Sequence, residues 1–293
     1  KPMSNPYTDE NGLFHNKLGI TDNAALHEFE YHHSAIKAEG ILSGDIKLAH
    51  NSYDLDHLKE IHKTLFGDIY EWAGQERTRP FAKGNQLSKT VTFFLEPEKL
   101  ADKWKEIQTH TQEFLNAENM DFRTAKDKLV DIMVEANYSH PFPEGNGRSL
   151  QVFMSQLAQE KNIQIDYSQV DSEMWNMANA LSVPHSKRFE GHLVEVPANR
   201  EMLGRMMDKV VIQRPDNTQS QSLQSQFEQL EKAYQDNLHL LSPKQKLIIQ
   251  EAGKIIQQLP QQAQIQAKVN LYQSLSAEIS KESQQSNEPE IDR

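Results

Sequence analysis

The chain has no cysteine. Disulfides, thiolate metal sites and thiol nucleophiles are therefore excluded. It also has no long apolar run: nothing approaches the roughly 20 residues that a membrane-spanning helix needs, so no membrane span is expected. The opening residues, KPMSNPYTDENG, lack the apolar region of a secretory signal. Lys1 is not a natural start, and an upstream segment is expected. Basic charge is scarce. Lys and Arg number 31 against 42 Asp and Glu, for a net charge of −11. A general nucleic-acid binder needs a basic face, so no nucleic-acid partner is expected, while one local basic cleft stays compatible with the balance. Two signatures are missing as well. No G-x-x-x-x-G-K-[ST] and no H-E-x-x-H occurs, which argues against P-loop and zincin chemistry. No internal repeat is visible.

What is present is 293 residues, enough for one or two domains with an ample core. The informative stretch is His140 to Gln151, HPFPEGNGRSLQ. After it, Leu150, Val152, Phe153, Met154, Leu157 and Ala158 recur at the spacing of a buried helix. The Gly-Asn-Gly turn therefore opens a helix, whose first N–H groups are unpaired and carry partial positive charge. Gly145 and Gly147 on either side of Asn146 let backbone approach a ligand closely, which makes a phosphate cradle. Arg148 adds a forked permanent charge suited to phosphate oxygens. Glu144 is the kind of oxygen ligand that magnesium takes between protein and phosphates. His140 is a candidate general base. Phe142 reads as a core anchor. Each feature also has a plainer reading: Glu144 as a partner of the helix dipole, the glycines as a tight turn, and Arg148 as a surface ion pair.

This stretch resembles the signature of Fic-domain enzymes, H-x-F-x-[DE]-G-N-G-R-x-x-R. His140, Phe142, Glu144, Gly145, Asn146, Gly147 and Arg148 match, and the last arginine is replaced by Gln151. NPYTDENGLFHNKLGI, HLKEIHKTLFGDIYEWAGQERT and KGN upstream are similar to the lead-in of bacterial Fic proteins, including effectors of type IV secretion. The likeness covers roughly residues 5 to 210. It implies a mainly α fold, a Fic-type helical bundle with a small β-hairpin flap. It implies AMP transfer from ATP to a Ser, Thr or Tyr hydroxyl of a target protein, with release of pyrophosphate. In that scheme His140 is the base and Glu144 holds Mg²⁺. Gly145, Asn146, Gly147, Arg148 and Gln151 bind the phosphates. A flap around Lys83, Gly84 and Asn85 holds the target by strand-like pairing. A cytoplasmic life, in the bacterium or in a host cell, is expected. In the family the arginine at the Gln151 position contacts the γ-phosphate and receives an inhibitory glutamate. Glutamine brings no charge, and a charge-assisted hydrogen bond is about twice as strong as a neutral one. Three outcomes follow: weaker ATP binding, a different phosphate-containing donor, or a degenerate module that works by binding. Retained activity is favoured, because the other elements are intact. Family inhibitory helices carry [ST]-x-x-x-E-[GN]. Ser186 to Gly191 (SKRFEG) fits the pattern and Ser34 to Gly40 (SAIKAEG) is one residue too long; both read as coincidence. Control by a small antitoxin-like partner stays open.

The coarse organisation is a domain over 1–213, a Gln/Ser-rich linker over 214–222, a helical extension over 223–280 and a disordered tail over 281–293. Helices are expected from Asp22 to about Gly40, with Leu26, Phe29, Tyr31 and Ile36 partly buried, and from Asp54 through Phe66. Further helices are expected over Pro97 to Leu115, Thr124 to Tyr138, Ser168 to Ala180 and Asn199 to Val211. The extension reads as helices over Leu223 to Leu240, Ser242 to Leu259 and Ala263 to Ile279. A short hairpin is expected within Gln75 to Phe94, turning at Lys83-Gly84-Asn85. His185 to Pro197 reads as irregular. His32, His33, His57 and His62 read as exposed or helix-face histidines.

Overall fold

The computed structural model describes residues 5–213, 223–236, 239, 241–258, 264 and 267–275. Chain contacts divide it into two compact units, Lys1–Arg214 and Pro215–Arg293. The first unit is mostly helical. Helix α1 (Asn23–Ser43) is capped by Asp22, whose carboxylate accepts the Ala25 N–H at 2.8 Å. Helix α2 (Leu55–Phe66) is capped in the same way by Asp54, and α4 (Phe122–Ser139) by Asp121. Such caps satisfy N–H groups that no helical carbonyl can reach. Between α2 and α4 runs α3 (Leu100–Asn116), preceded by a 3₁₀ turn at Pro97–Lys99. Helix α5 (Asn146–Gln159) follows the motif. It packs against α1, α2 and α4, and its Phe153, Met154, Leu157 and Ala158 are fully buried beside Ile61, Leu65 and Leu129. The loop at 140–145 is thus held between two helices with one shared apolar core.

The α1 face differs from its apolar pattern. Phe29, Tyr31 and Ile36 are exposed, whereas Leu26, Glu30, Ser34 and Ile41 are buried. Two polar residues occupy the inner stripe because they meet an arginine of α5.

A hairpin of β1 (Ala82–Asn85) and β2 (Thr90–Phe93) does form, in the register Ala82↔Phe93 and Asn85↔Thr90. Its turn lies over 86–89. Lys83, Gly84 and Asn85 are therefore strand residues rather than turn residues: β-branched Thr90, Val91 and Thr92 form the partner strand directly opposite. The chain continues through β3 (Ile163–Ile165) and α6 (Ser172–Leu181). His185 to Pro197 is not irregular. It folds as β4 (His185–Phe189) and β5 (His192–Val196) around Glu190 (φ 47°) and Gly191 (φ 84°). Two successive positive φ values match a two-residue hairpin turn, with Glu in a place usually held by Asn or Asp. Strand β4 also pairs with β2, at Thr90↔Lys187 and Val91↔Ser186, so one antiparallel sheet has the order β1-β2-β4-β5. Helix α7 (Glu201–Val210) leads into β6 (Val211–Gln213), which pairs antiparallel with β3.

In the second unit, α8 (Leu223–Asp236) and α9 (Pro243–Ile256) are present, and residues 267–275 are helical. A capping box at Ser242 and Gln245 starts α9. The linker expected over 214–222 and the tail over 281–293 lie outside the described residues.

Candidate active site

Helix α4 ends where its C-cap residue, His140, turns left-handed (φ 42°, ψ 61°). That conformation is uncommon for a non-glycine residue. It turns the chain sharply and delivers the imidazole to the mouth of α5. The ring is buried and stacks on Phe94 (centroids 3.8 Å, 18°) and on Phe81 (5.3 Å, 29°). His140 Nδ1 lies 3.0 Å from the Asn137 carbonyl. A carbonyl only accepts, so Nδ1 carries the proton and Nε2 keeps its lone pair. Burial, with Lys83 and Arg77 adding like charge nearby, pushes the imidazole pKa down to about 3. The histidine is a neutral base.

The loop that follows is braced from within. Phe142 is fully buried. Asn146 Oδ1 accepts the Phe142 N–H at 2.8 Å and Asn146 Nδ2 donates to the Phe142 carbonyl at 2.7 Å. The Asn146 side chain therefore holds the loop, and only its backbone is free for a ligand. The first helical bond runs from Ser149 N–H to the Gly145 carbonyl at 3.1 Å. The amides of Asn146, Gly147 and Arg148 consequently have no carbonyl a turn below them. The Glu144 carboxylate folds over this end and accepts the Gly145 N–H at 2.9 Å. Its side chain is 43% exposed, so it faces the solvent that a ligand would displace.

Gly145 is the tight point. Its φ is +79°, and a Cβ there would lie 2.5 Å from Phe66 Cε2. Gly145→Ala is expected to lower the unfolding free energy by roughly 2–4 kcal/mol, from left-handed strain plus overpacking. Urea unfolding checks this. Phe66→Leu in the same chain should recover part of the loss by opening room for the methyl group.

Arg148 points to α1. It pairs with Glu30, lies 3.4 Å from Ser34 Oγ and 3.5 Å from Glu144 Oε1, and sits 4.8 Å over the Phe66 ring. The Tyr70 hydroxyl also donates to Glu30. Burial and Glu30 together raise the Tyr70 pKa. Gln151 lies one turn further along α5 and is half-buried. Strand β1 with Lys83, Gly84 and Asn85 borders the His140 side, since Lys83 is one of the charges felt by that ring.

Several residues that shape the site have no place in the motif. His62 is fully buried: Nδ1 accepts the Gly74 N–H at 2.9 Å, Nε2–H donates to the Glu144 carbonyl at 2.8 Å, and the ring stacks on Phe142 at 3.8 Å. Burial pushes its pKa down to about 3. His57 is likewise buried, with Nε2 3.0 Å from Gln156 Oε1. Of the two alternatives expected for them, exposed or helix-face, the first is corrected: both lie on the inner face of α2. The signal was present, because Leu58, Ile61, His62 and Leu65 recur at i, i+3, i+4 and i+7 and so place His62 on the inner stripe of α2. His33 pairs with Asp68 at 2.9 Å. No cluster of three or more His, Asp or Glu suited to a metal ion occurs among the described residues. Nor is any described helix long and apolar enough to cross a membrane.

Known proteins share the family signature and the fold. Residues 52–158 match the model of the Fic/DOC family. Over 177 residues the chain is 34% identical to the protein adenylyltransferase VbhT of Bartonella schoenbuchensis, a match that takes in 60% of this chain and 35% of VbhT. It is 28% identical to a probable protein adenylyltransferase, Fic, of Escherichia coli K12, over 57% of this chain and 78% of that one. The chain thus spans about a third of VbhT and most of the shorter relative. Among solved structures, the BepC protein of Bartonella tribocorum with bound AMPPNP superposes with a TM-score of 0.59 at 19% identity. That match covers 71% of this chain and 97% of the chain in that structure. An ADP-bound Fic domain from Bartonella quintana gives a TM-score of 0.58 at 22% identity, over 71% and 95% of the two chains.

Proposed function

Residues 52–158 make up a domain of the Fic/DOC family, and from that premise we propose that this chain transfers AMP from ATP to a hydroxyl of a target protein. The single observation that carries the reading is a neutral histidine, its Nε2 lone pair left open, fixed at the mouth of a helix whose first amides are unpaired. His140 accepts the proton of a Ser, Thr or Tyr hydroxyl. The hydroxyl oxygen bonds to the α-phosphorus, the bond from that phosphorus to the bridging oxygen breaks, and pyrophosphate leaves. The amides of Asn146, Gly147 and Arg148 hold phosphate oxygens, and the Arg148 guanidinium adds charge. Positioning and charge stabilisation do most of the work in such transfers. Relatives named adenylyltransferases and nucleotide-bound neighbours support this reading.

The half-exposed Glu144 carboxylate at the helix mouth fits Mg²⁺, which takes one or two carboxylates and otherwise phosphate and water oxygens. Bound there, Mg²⁺ would neutralise phosphate charge. The edge of β1, at Ala82–Asn85, would take an extended target segment by strand pairing. A cleft of about 410 Å³ lined by Tyr7, Arg79, Phe81 and Pro143 would accept neighbouring target side chains. Control would fall to a separate antitoxin-like protein, because the two inhibitory-type stretches do not offer a glutamate to the cradle: Glu190 sits in the β4–β5 turn and Glu39 is exposed on α1.

The test uses ATP labelled at the α- or the γ-phosphate, incubated with the chain, Mg²⁺ and a cell lysate. Label from the α position alone supports AMP transfer, and label from the γ position alone would replace it with phosphoryl transfer. Gln151→Arg is expected to raise AMP transfer at sub-saturating ATP by about tenfold, the worth of one charge-assisted contact of roughly 1.4 kcal/mol over a neutral one. No gain in transfer, with ATP binding unchanged, would favour a module that works by binding.

A further inference from the structure

Arg77 is buried, yet it touches no part of the phosphate cradle. It lies in the connection between α2 and β1, in the stretch Gln75-Glu76-Arg77-Thr78-Arg79. Its guanidinium donates in four directions: Nε to the His140 carbonyl at 2.6 Å, Nη1 to the Arg79 carbonyl at 2.7 Å, and Nη2 to the carbonyls of Leu95 and, at 3.2 Å, Ser139. The Arg77 N–H donates to the Pro141 carbonyl at 2.7 Å. Every hydrogen-bond partner is a carbonyl oxygen, although carboxylates are the usual counterparts of a buried guanidinium; the Glu96 carboxylate favours the charge without a hydrogen bond to it. Burial lowers the pKa of the group. A buried charge spent on backbone carbonyls is an expensive way to tie two loops together, and the fork geometry explains why arginine does it.

The partners fall into two sets. Ser139, His140 and Pro141 are the catalytic turn, in which His140 holds its left-handed conformation. Arg79 precedes β1 and Leu95 follows β2, so they are the two roots of the flap. The same roots carry Phe81 and Phe94, the rings stacked on the His140 imidazole. Phe94 N–H donates to the Phe81 carbonyl at 3.0 Å and Leu95 N–H to the Tyr138 carbonyl at 3.2 Å, which closes the flap base onto the end of α4.

We infer that Arg77 is a positioning residue that joins the flap to the catalytic turn, so that a target strand paired to β1 sets the pose of the His140 ring. The inference rests on the AMP-transfer reading for its chemistry and on geometry alone for the coupling. A flap without this tie could bind a target while the base hangs out of line. Misplacement of a reacting group by about 1 Å can cost on the order of 100-fold in rate.

The test compares the unaltered chain with Arg77→Lys and Arg77→Gln by amide hydrogen exchange and by labelled AMP transfer. Lysine keeps the charge but cannot fork, so it retains fold more readily than glutamine and serves as the principal variant. In Arg77→Lys, exchange is expected to rise together at residues 90–95 and 137–142, with α2 and α5 unchanged. The transfer rate at saturating ATP should fall about 10- to 100-fold while the KM for ATP stays within about twofold. Addition of Gly84→Pro, which disrupts the β1 edge, should cost the Arg77→Lys chain far less than the unaltered chain, because linked residues are non-additive. Three results would overturn the inference: exchange that rises on only one of the two segments, exchange that rises throughout the helices, or fully additive losses. If the unaltered chain transfers no label, the AMP-transfer reading fails, and the exchange pattern alone decides the coupling.

Discussion

Replacement of His140 by alanine is expected to reduce AMP transfer by roughly 10²- to 10⁴-fold, the range that one positioned general base supplies. Binding of ATP should stay within about twofold, because the cradle is backbone of α5 and the imidazole takes no part in it. The expectation follows from the ring's surroundings. The Asn137 carbonyl fixes the proton on Nδ1, and Phe81 and Phe94 leave the ring little freedom. With its pKa pushed down to about 3, the free chain holds this base neutral across the working range. The value of kcat/KM should therefore stay level from pH 8 to pH 6 rather than halve near 6.5. Transfer of α-label with time, followed for both chains at several pH values, measures both effects. Equal transfer by His140→Ala would remove the histidine from the chemistry and leave the module acting by binding.

The same burial makes the fold sensitive to acid. His62 and His140 are neutral when folded, each with its pKa near 3, and unfolding returns them to about 6.5. Between those values the unfolded chain binds more protons, so stability is full above about pH 6.5 and declines as pH falls toward 3. Each such histidine contributes a slope of up to about 1.4 kcal/mol per pH unit, together approaching 3 kcal/mol per unit, and the lowered pKa of His57 adds in the same direction. Urea midpoints measured from pH 7.5 to 5 should fall steeply below 6.5. His62→Asn should lower stability at neutral pH, since the Glu144 carbonyl and Gly74 N–H lose their partner, yet flatten the slope by about one histidine's share. A midpoint that does not move between pH 7.5 and 5.5 would contradict both assignments.

Much of the fold was legible because its signals are local. Asp22 and Asp54 announce their helices through capping, and the apolar spacing after Gly147 announces α5. The contiguous motif delivered His140, Glu144 and Arg148 to one place, because a helix end, a turn and a helix start already bring them together. The rest is tertiary. Arg77 was invisible because its partners, Ser139, His140 and Leu95, are distant in sequence and offer backbone, which carries no residue code. Glu30 was missed because Arg148, 118 residues away, supplies the reason for a buried acid on α1. The hairpin at Glu190-Gly191 was missed because glutamate in a positive-φ position is a weak turn signal, and only the pairing of β4 with β2 fixes it in place.

The ion pair between Glu30 and Arg148 bears on how a nucleotide arrives. With that carboxylate against the guanidinium, Glu144 beside it and an uncharged glutamine at 151, little net positive charge remains at the mouth of α5. On the AMP-transfer reading, what would attract phosphate is then chiefly a set of oriented N–H dipoles, whose field fades with distance faster than that of a free charge, with the paired Arg148 guanidinium acting only at contact. The chain as a whole, at −11, repels polyanions. On that reading, nucleotide capture would accordingly be a short-range event without electrostatic steering: the site would grip what diffuses into contact rather than gather it from solution.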